Sequence, residues 1–161
     1  MTTVGGVTLR HYASDAVELD RSRVYEQGID PNKPVGLWLS VAGEDDWPSW
    51  CRGEQWGLES LEVEHRVTLD PGARILAIEE SRDFDTFNAA YLYPLYPNER
   101  KPSAINWRAV AATYDGIIIA PYCWQRRLSL SWYYGWDCAS GCVWNLGAIA
   151  DFAPAMAEVA S

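Results

Sequence analysis

Residues 132–145 concentrate groups that suit the binding of a flat molecule: three tryptophans, two tyrosines, one aspartate and one asparagine. Aromatic rings bury a large area, yet each indole N–H and phenol O–H still needs a hydrogen-bond partner. Asp137 stands among these rings, where an unpaired carboxylate costs free energy. We therefore predict that the segment forms one wall of a binding pocket that includes Asp137. The alternative interpretation is a structural hydrogen bond from a backbone or indole N–H to Asp137.

Two further polar positions lie at the ends of predicted strands. His11 and Tyr12 end the first strand, and Ser40 ends a run that contains Trp38. A histidine ring nitrogen can hydrogen-bond a sugar hydroxyl such as that of ribose. The alternatives are a histidine that is satisfied within the fold and a serine that caps a turn.

The sequence motifs of the commonest catalysts are absent. The chain has no G-x-x-x-x-G-K phosphate loop, no G-x-G-x-x-G dinucleotide turn, no G-x-S-x-G nucleophile elbow and no H-E-x-x-H metal motif. Cys138 and Cys142 are four residues apart, unlike the C-x-x-C spacing of zinc and redox sites, and His11 and His65 are far apart in sequence. We predict no metal site and four reduced cysteines.

Length and composition indicate one folded domain spanning residues 1–161, because 48% of the residues are hydrophobic and 22% are charged. The net charge of −9 does not favour attraction to a phosphate backbone. It suits an ordinary acidic protein, or one that engages a basic partner. The N-terminus lacks the pattern of a signal peptide, and no apolar run approaches the roughly 20 residues of a membrane span. We therefore expect a cytoplasmic protein without a membrane segment.

Hydrophobic patterning predicts the elements that position these residues. Strands are predicted at 7–12, 35–40, 61–69, 74–79 and 116–120, with one or two more within 128–144 around a loop at 135–141. Helices are predicted from 44–51 onward, at 81–91, from Ser103 onward, and in the alanine-rich tail at 147–159. The strands at 61–69 and 74–79 are expected to be a hairpin or adjacent pair. The prediction is an α+β domain, a split, mixed or antiparallel β-structure of about six strands with inserted helices.

The order of the polar positions resembles that of the ADP-ribosyltransferase fold. His11-Tyr12 matches the motif on the first strand, Leu39-Ser40 matches the second-strand serine, and an acidic residue lies late in the chain. The order of elements over residues 8–145 is similar to that of small phage-borne ADP-ribosyltransferases, some of which act as anti-CRISPR proteins. The resemblance implies an NAD-binding domain that transfers ADP-ribose to a protein or nucleic-acid target.

The resemblance also assigns roles to individual residues. His11 and Ser40 are expected to contact ribose and brace the pocket. Tyr12, Trp38 and Trp136 are expected to contact the nicotinamide or adenine ring. The late-strand glutamate usual in the family is absent, so Asp137 is the expected catalytic carboxylate. Asn145 is the alternative at that position and is expected to contact the cofactor.

Two other classes of function are open from the sequence. In the first, the protein is a non-enzymatic, acidic binding module that inhibits a basic partner, and the aromatic segment at 132–145 is the interaction hot spot. In the second, the domain senses a small ligand without turnover. Loss of activity with retained partner binding in Asp137→Asn would distinguish an enzyme from a binding module.

Overall fold

A large β-sheet organises the chain. The computed structural model describes residues 6–155, which form a seven-stranded mixed sheet, a three-stranded antiparallel sheet and four helices. The strands are β1 (Leu9–Ala13), β2 (Ile29–Asp30), β3 (Leu37–Val41), β4 (Val63–Leu69), β5 (Ile75–Ile78), β6 (Leu92–Tyr93), β7 (Ala104–Asn106), β8 (Gly116–Ile119), β9 (Ser140–Val143) and β10 (Ile149–Pro154). The helices are α1 (Trp47–Glu54), α2 (Ser81–Tyr91), α3 (Trp107–Thr113) and α4 (Ser131–Tyr134). The predicted α+β class is confirmed, with more strands than the six expected.

The strands of the large sheet lie in the order β10-β4-β1-β3-β9-β8-β5. Neighbouring strands are antiparallel except β5 and β8, which are parallel. Strands β8 and β9 are buried at every position, and β3 at all but one. Their near-continuous apolar sequences are typical of strands covered on both faces.

The predicted pairing of the segments at 61–69 and 74–79 is wrong. Strand β4 pairs with β1 and β10, whereas β5 lies at the opposite edge beside β8. The link from Leu69 to Ile75 can span at most about 20 Å. In a flat sheet, five strand spacings would require about 24 Å. The sheet must therefore curl, and this long-range geometry could not be read from the turn between the two strands.

Local capping signals explain the two longest helices. Asp46 caps α1 by accepting a hydrogen bond from the backbone N–H of Ser49, and Pro48 occupies the first turn. The helix α2 has the predicted bounds, but its cap is a reciprocal pair formed by Glu80 and Asp83 rather than Ser81. The predicted helix start at 44–51 and the helix at 81–91 are confirmed.

The helix predicted from Ser103 starts later. Residues Ala104–Asn106 form β7, which pairs with both β2 and β6. Asn106 then caps α3 by accepting a hydrogen bond from the N–H of Ala109. Ile105 is buried in a strand, while Trp107 and Val110 form the buried face of the helix. A strand of three residues that is held by pairing with two other strands leaves no recognisable pattern in its own sequence.

The aromatic segment is mostly core, which corrects the prediction of strands around a loop. Trp132 and Tyr133 lie in the helix α4, are fully buried, and pack against Phe84. The Phe84 and Trp132 rings are stacked with centroids 5.0 Å apart. The strand β9 begins only at Ser140. The contribution of these rings is therefore hydrophobic packing rather than contact with a ligand.

The tail also departs from the prediction of a closing helix. A 3-10 turn at Leu146–Ala148 leads into β10, which pairs antiparallel with β4. Alanine favours helices locally, but the free edge of β4 supplies backbone donors and acceptors that a strand can satisfy. The part of the predicted helix at 156–159 lies outside the described residues.

Candidate functional site

A cavity opens where β1 and β3 separate. The two strands pair only at Leu9–Val41 and Arg10–Ser40. Beyond these pairs β1 continues along β4, and β3 continues along β9. The resulting space has a volume of about 310 Å³. Its walls are formed by Arg10, His11, Tyr12, Lys33, Trp38, Leu39, Ser40, Trp47, Ser60, Trp136, Asp137, Cys138 and Ser140.

Six of the seven predicted site residues line this cavity. They come from three separate segments of the chain: His11 and Tyr12, Trp38 and Ser40, and Trp136 and Asp137. The antiparallel register places Ser40 opposite both Arg10 and Ser140, so the three segments meet on adjacent strands.

The hydrogen bond of His11 fixes the tautomer of its ring. Its Nδ1 lies 2.7 Å from the backbone oxygen of Trp38, which can only accept, so Nδ1 carries the proton. Burial lowers the pKa of His11, against the opposing effect of this hydrogen bond, and the neighbouring His65 lowers it further. The neutral ring therefore presents Nε2 as an acceptor, the form that can receive a hydrogen bond from a hydroxyl.

Tyr12 is held by a pair of charged residues that sequence reasoning missed. Its hydroxyl donates to Oε1 of Glu64 at 3.1 Å, and the same oxygen accepts from Nε of Arg10 at 3.2 Å. Burial and the Glu64 carboxylate raise the pKa of Tyr12 to about 12, so the phenol stays neutral. Tyr12 and Glu64 lie directly opposite on antiparallel strands. The only sequence pattern that pointed to Glu64 was the alternation of polar and apolar residues at 62–65, which predicted a strand there.

Ser40 supports the wall of the cavity. Its Oγ accepts a hydrogen bond from the backbone N–H of Trp47 at 2.9 Å. This contact ties the start of α1 to the end of β3 and brings the Trp47 indole to the cavity. Ser40 is thus in a position both to brace the pocket, as predicted, and to face a ligand.

Two indoles form the inner aromatic wall. The rings of Trp38 and Trp136 are edge to face, with centroids 4.9 Å apart. Trp136 is almost fully buried, and its Nε1–H has no acceptor within residues 6–155. Trp38 is half-buried, and the Lys33 ammonium lies 5.3 Å from the centroid of its ring. The Trp38 face can therefore hold a cation.

Asp137 contributes an uncommitted carboxylate. It is half-buried and, within the described part of the chain, forms neither a hydrogen bond nor an ion pair. Glu64, in contrast, is engaged by two donors. The neighbouring Cys138 is a poor nucleophile because burial raises its pKa to about 12, which keeps the thiol protonated. Asp137 is thus the group in this wall that is best able to meet positive charge on a ligand.

Asn145, which was predicted to contact the cofactor, does not line this cavity. Asp137 precedes β9 and Asn145 follows it, so the two residues lie beyond opposite ends of the strand. The Asn145 amide donates to Asp115 at 2.8 Å and accepts from the N–H of Gly147 at 3.1 Å. Asn145 therefore caps the 3-10 turn before β10 and has a structural role.

Several classes of site can be assessed directly. All four cysteines are free and buried. Residues 6–155 contain no cluster of three or more histidine, cysteine, aspartate or glutamate side chains arranged to hold a metal ion. Within the same range, the structure has no helix of sufficient length and apolar character to cross a membrane.

Comparison of the chain with protein-family models, curated proteins and solved structures finds no match.

Proposed function

We propose that the protein is an NAD-dependent ADP-ribosyltransferase-like enzyme that modifies a macromolecular target, as a phage-encoded anti-defence effector would. The observation that carries this proposal is the convergence of His11, Ser40, Trp38 and Asp137 on one cavity, since the resemblance requires them to act together. The ADP-ribosyltransferase-like fold is part of the same proposal. It is supported by the way β1 and β3 part after two residue pairs.

The aromatic wall suits the nicotinamide ring. That ring is flat and positively charged in NAD, and Trp faces attract such cations by stacking and cation–π interaction. Trp38 already carries the Lys33 ammonium near its face. A bound nicotinamide ring would replace this exposed ammonium over Trp38. The buried Trp136, edge-on to Trp38, holds the stacking ring in place.

The polar wall suits the adjacent ribose. Nε2 of His11 is an acceptor for a ribose hydroxyl, while the hydroxyl groups of Ser40 and Ser140 lie on neighbouring strands of the same wall. The volume of about 310 Å³ is at the lower end for small-molecule sites. We therefore assign the cavity to nicotinamide and its ribose, with the rest of the dinucleotide extending through the opening.

Asp137 is the proposed catalytic carboxylate. The bond between ribose C1′ and the nicotinamide nitrogen breaks, its electron pair leaves with nicotinamide, and positive charge develops on the sugar. A nearby carboxylate stabilises such an oxocarbenium-like state electrostatically. The nucleophile of the target would then bond to C1′ and release its proton to solvent water. Asp137 is available for this role because no other described side chain engages it.

The test combines NAD titration calorimetry with an assay of nicotinamide release. We expect Asp137→Asn to retain NAD binding and to reduce nicotinamide release by about 100-fold or more. Asp151→Asn is the matched control, because Asp151 is exposed on β10 and does not line the cavity. Absence of NAD binding by the unmodified protein, together with absence of NAD consumption, would overturn the proposal.

The alternative of a non-enzymatic binding module needs a different surface from the one expected. Its proposed hot spot included Trp132, Tyr133 and Trp136, which are all buried and unavailable to a partner. The exposed indoles are those of Trp56, which follows α1, and Trp124. A module that only binds would keep its partner affinity in Asp137→Asn and would release no nicotinamide.

A further inference from the structure

Three tryptophans form an aromatic surface beside the cavity. Trp47 and Trp50 are stacked on α1, with ring centroids 5.1 Å apart and planes inclined by 10°. Trp56 stands edge-on to both rings, at 6.1 Å from Trp47 and 5.7 Å from Trp50, and is 60% exposed. We call these three residues the tryptophan platform. Trp47 and Trp50 are half-buried, so the platform offers one exposed ring and two partly exposed rings. Aromatic residues that remain accessible side by side are typical of a binding surface.

The platform is continuous with the cavity. Trp47 lines the cavity, and the hydrogen bond from its backbone N–H to Oγ of Ser40 fixes its position there. The stacked rings of Trp47 and Trp50 then lead outward to Trp56. A molecule bound on the platform therefore lies next to the wall of the cavity that Trp47 forms.

The platform lies in the most acidic part of the chain. Residues 43–62 contain six acidic residues and one basic residue, a net charge of −5 out of the total of −9. Within the described residues, none of the acidic side chains in this range forms a salt bridge. The exposed carboxylates are those of Glu44, Glu54, Glu59 and Glu62. Unpaired acidic groups around aromatic faces favour a cationic partner.

Another exposed aromatic pair already has a cation of its own. The Arg127 guanidinium carbon lies 5.9 Å from the ring centroids of both Trp124 and Tyr134. Within residues 6–155, the rings of the tryptophan platform have no Lys or Arg over them. The platform thus combines one exposed and two partly exposed rings with unpaired negative charge, and no Lys or Arg from residues 6–155 lies over these rings.

We propose that the tryptophan platform docks a basic, Arg- or Lys-bearing segment of a protein and presents it at the cavity opening. Binding of that segment does not depend on NAD chemistry. The further role, delivery of the acceptor for ADP-ribose, rests on the proposed function. A nucleic-acid partner is disfavoured because the surrounding charge would repel phosphates.

The binding test uses a fluorescently labelled peptide of alternating arginine and glycine, with fluorescence anisotropy as the readout. We expect affinity to fall about fivefold for each of Trp50→Ala and Trp56→Ala. Tyr96→Ala is the matched control, because Tyr96 is 67% exposed and lies in the β6–β7 connection. A peptide with citrulline in place of arginine should bind weakly, and added salt should lower the affinity of the arginine peptide.

Charge variants test the surface without removing its rings. Glu54→Gln and Glu59→Gln should lower the affinity for the arginine peptide. Glu26→Gln should not, because Glu26 is an exposed acidic residue outside residues 43–62. Unchanged affinity in both the tryptophan and the charge variants would overturn the proposal. Equal binding of the citrulline peptide, or preferential binding of a single-stranded DNA oligonucleotide, would do so too.

Failure of the docking proposal can be separated from failure of the proposed function. If both hold, Asp137→Asn binds the arginine peptide normally but releases no nicotinamide. If only docking fails, NAD is still consumed and the peptide does not bind to the platform. If only the proposed function fails, the peptide binds and NAD is neither bound nor consumed.

Discussion

His11 spans the gap between two parting strands by donating a hydrogen bond from Nδ1 to the backbone oxygen of Trp38 at 2.7 Å. The backbone pairing of β1 with β3 ends at Arg10 and Ser40, just before this contact. The side chain therefore replaces a missing ladder hydrogen bond and closes the inner end of the cavity. His11 thus forms a structural hydrogen bond through Nδ1, while its Nε2 has no hydrogen-bond partner among residues 6–155.

This geometry predicts a pH-dependent contribution of His11 to stability. Burial lowers the pKa of His11 below its ordinary value of 6.5. As the pH falls through 6.5, the unfolded chain therefore takes up a proton before the folded ring does, and the free energy of unfolding decreases. The contribution is complete above pH 6.5 and is lost progressively below it. In His11→Asn, the amide N–H2 can still donate to Trp38, but the side chain no longer titrates.

Urea unfolding of both proteins between about pH 5 and 8 checks this prediction. The difference in free energy of unfolding between the native protein and His11→Asn should be constant above about pH 7 and should shift in favour of the variant as the pH falls. A difference that does not vary with pH would contradict the lowered pKa.

The elements that could be predicted are those with local signals. Asp46 and Pro48 marked the start of α1, and Phe84 and Phe87 share the face that anchors α2. The errors arise where distant contacts decide the structure. The alanine-rich tail forms a strand because it pairs with the edge of β4. The sequence of the tail alone does not indicate that an unpaired strand edge is available in a distant part of the chain.

The same distinction explains which site residues were found. His11 and Ser40 lie near or at the ends of the strands predicted at 7–12 and 35–40, and the order of these motifs sufficed to place them in one site. Asn145 lies away from the cavity, and this could not be predicted because its position depends on where β9 begins and ends. Glu64 was missed because its importance comes from its register opposite Tyr12, which only the pairing of β1 with β4 reveals.

Asn145→Ala is expected to reduce stability without affecting the cavity. The substitution removes the acceptor for the N–H of Gly147 and one donor to Asp115, whose carboxylate is buried. Loss of these bonds should lower the free energy of unfolding by about 1 kcal/mol. Calorimetric NAD binding should be unchanged after correction for the folded fraction. Weakened NAD binding in a fully folded variant would contradict this prediction and would indicate that Asn145 contacts the ligand.

Trp132→Phe tests whether the aromatic segment is core or binding surface. Trp132 is fully buried and donates from Nε1 to Oδ1 of Asn88 at 2.8 Å. Asn88 is itself buried and donates to the backbone oxygen of Phe84. Phenylalanine would leave the Asn88 oxygen without its donor and would leave unfilled volume beside α2. We expect the free energy of unfolding to fall by about 2–4 kcal/mol.

The companion measurements separate the two roles of this ring. A double-mutant cycle with Asn88→Leu should show positive coupling of about 1 kcal/mol, because the second change removes the orphaned acceptor. NAD affinity of the folded Trp132→Phe protein should change less than about twofold, since Trp132 does not line the cavity. Unchanged stability with a large loss of NAD affinity would contradict the packing role, because substitution of a core ring must lower the free energy of unfolding.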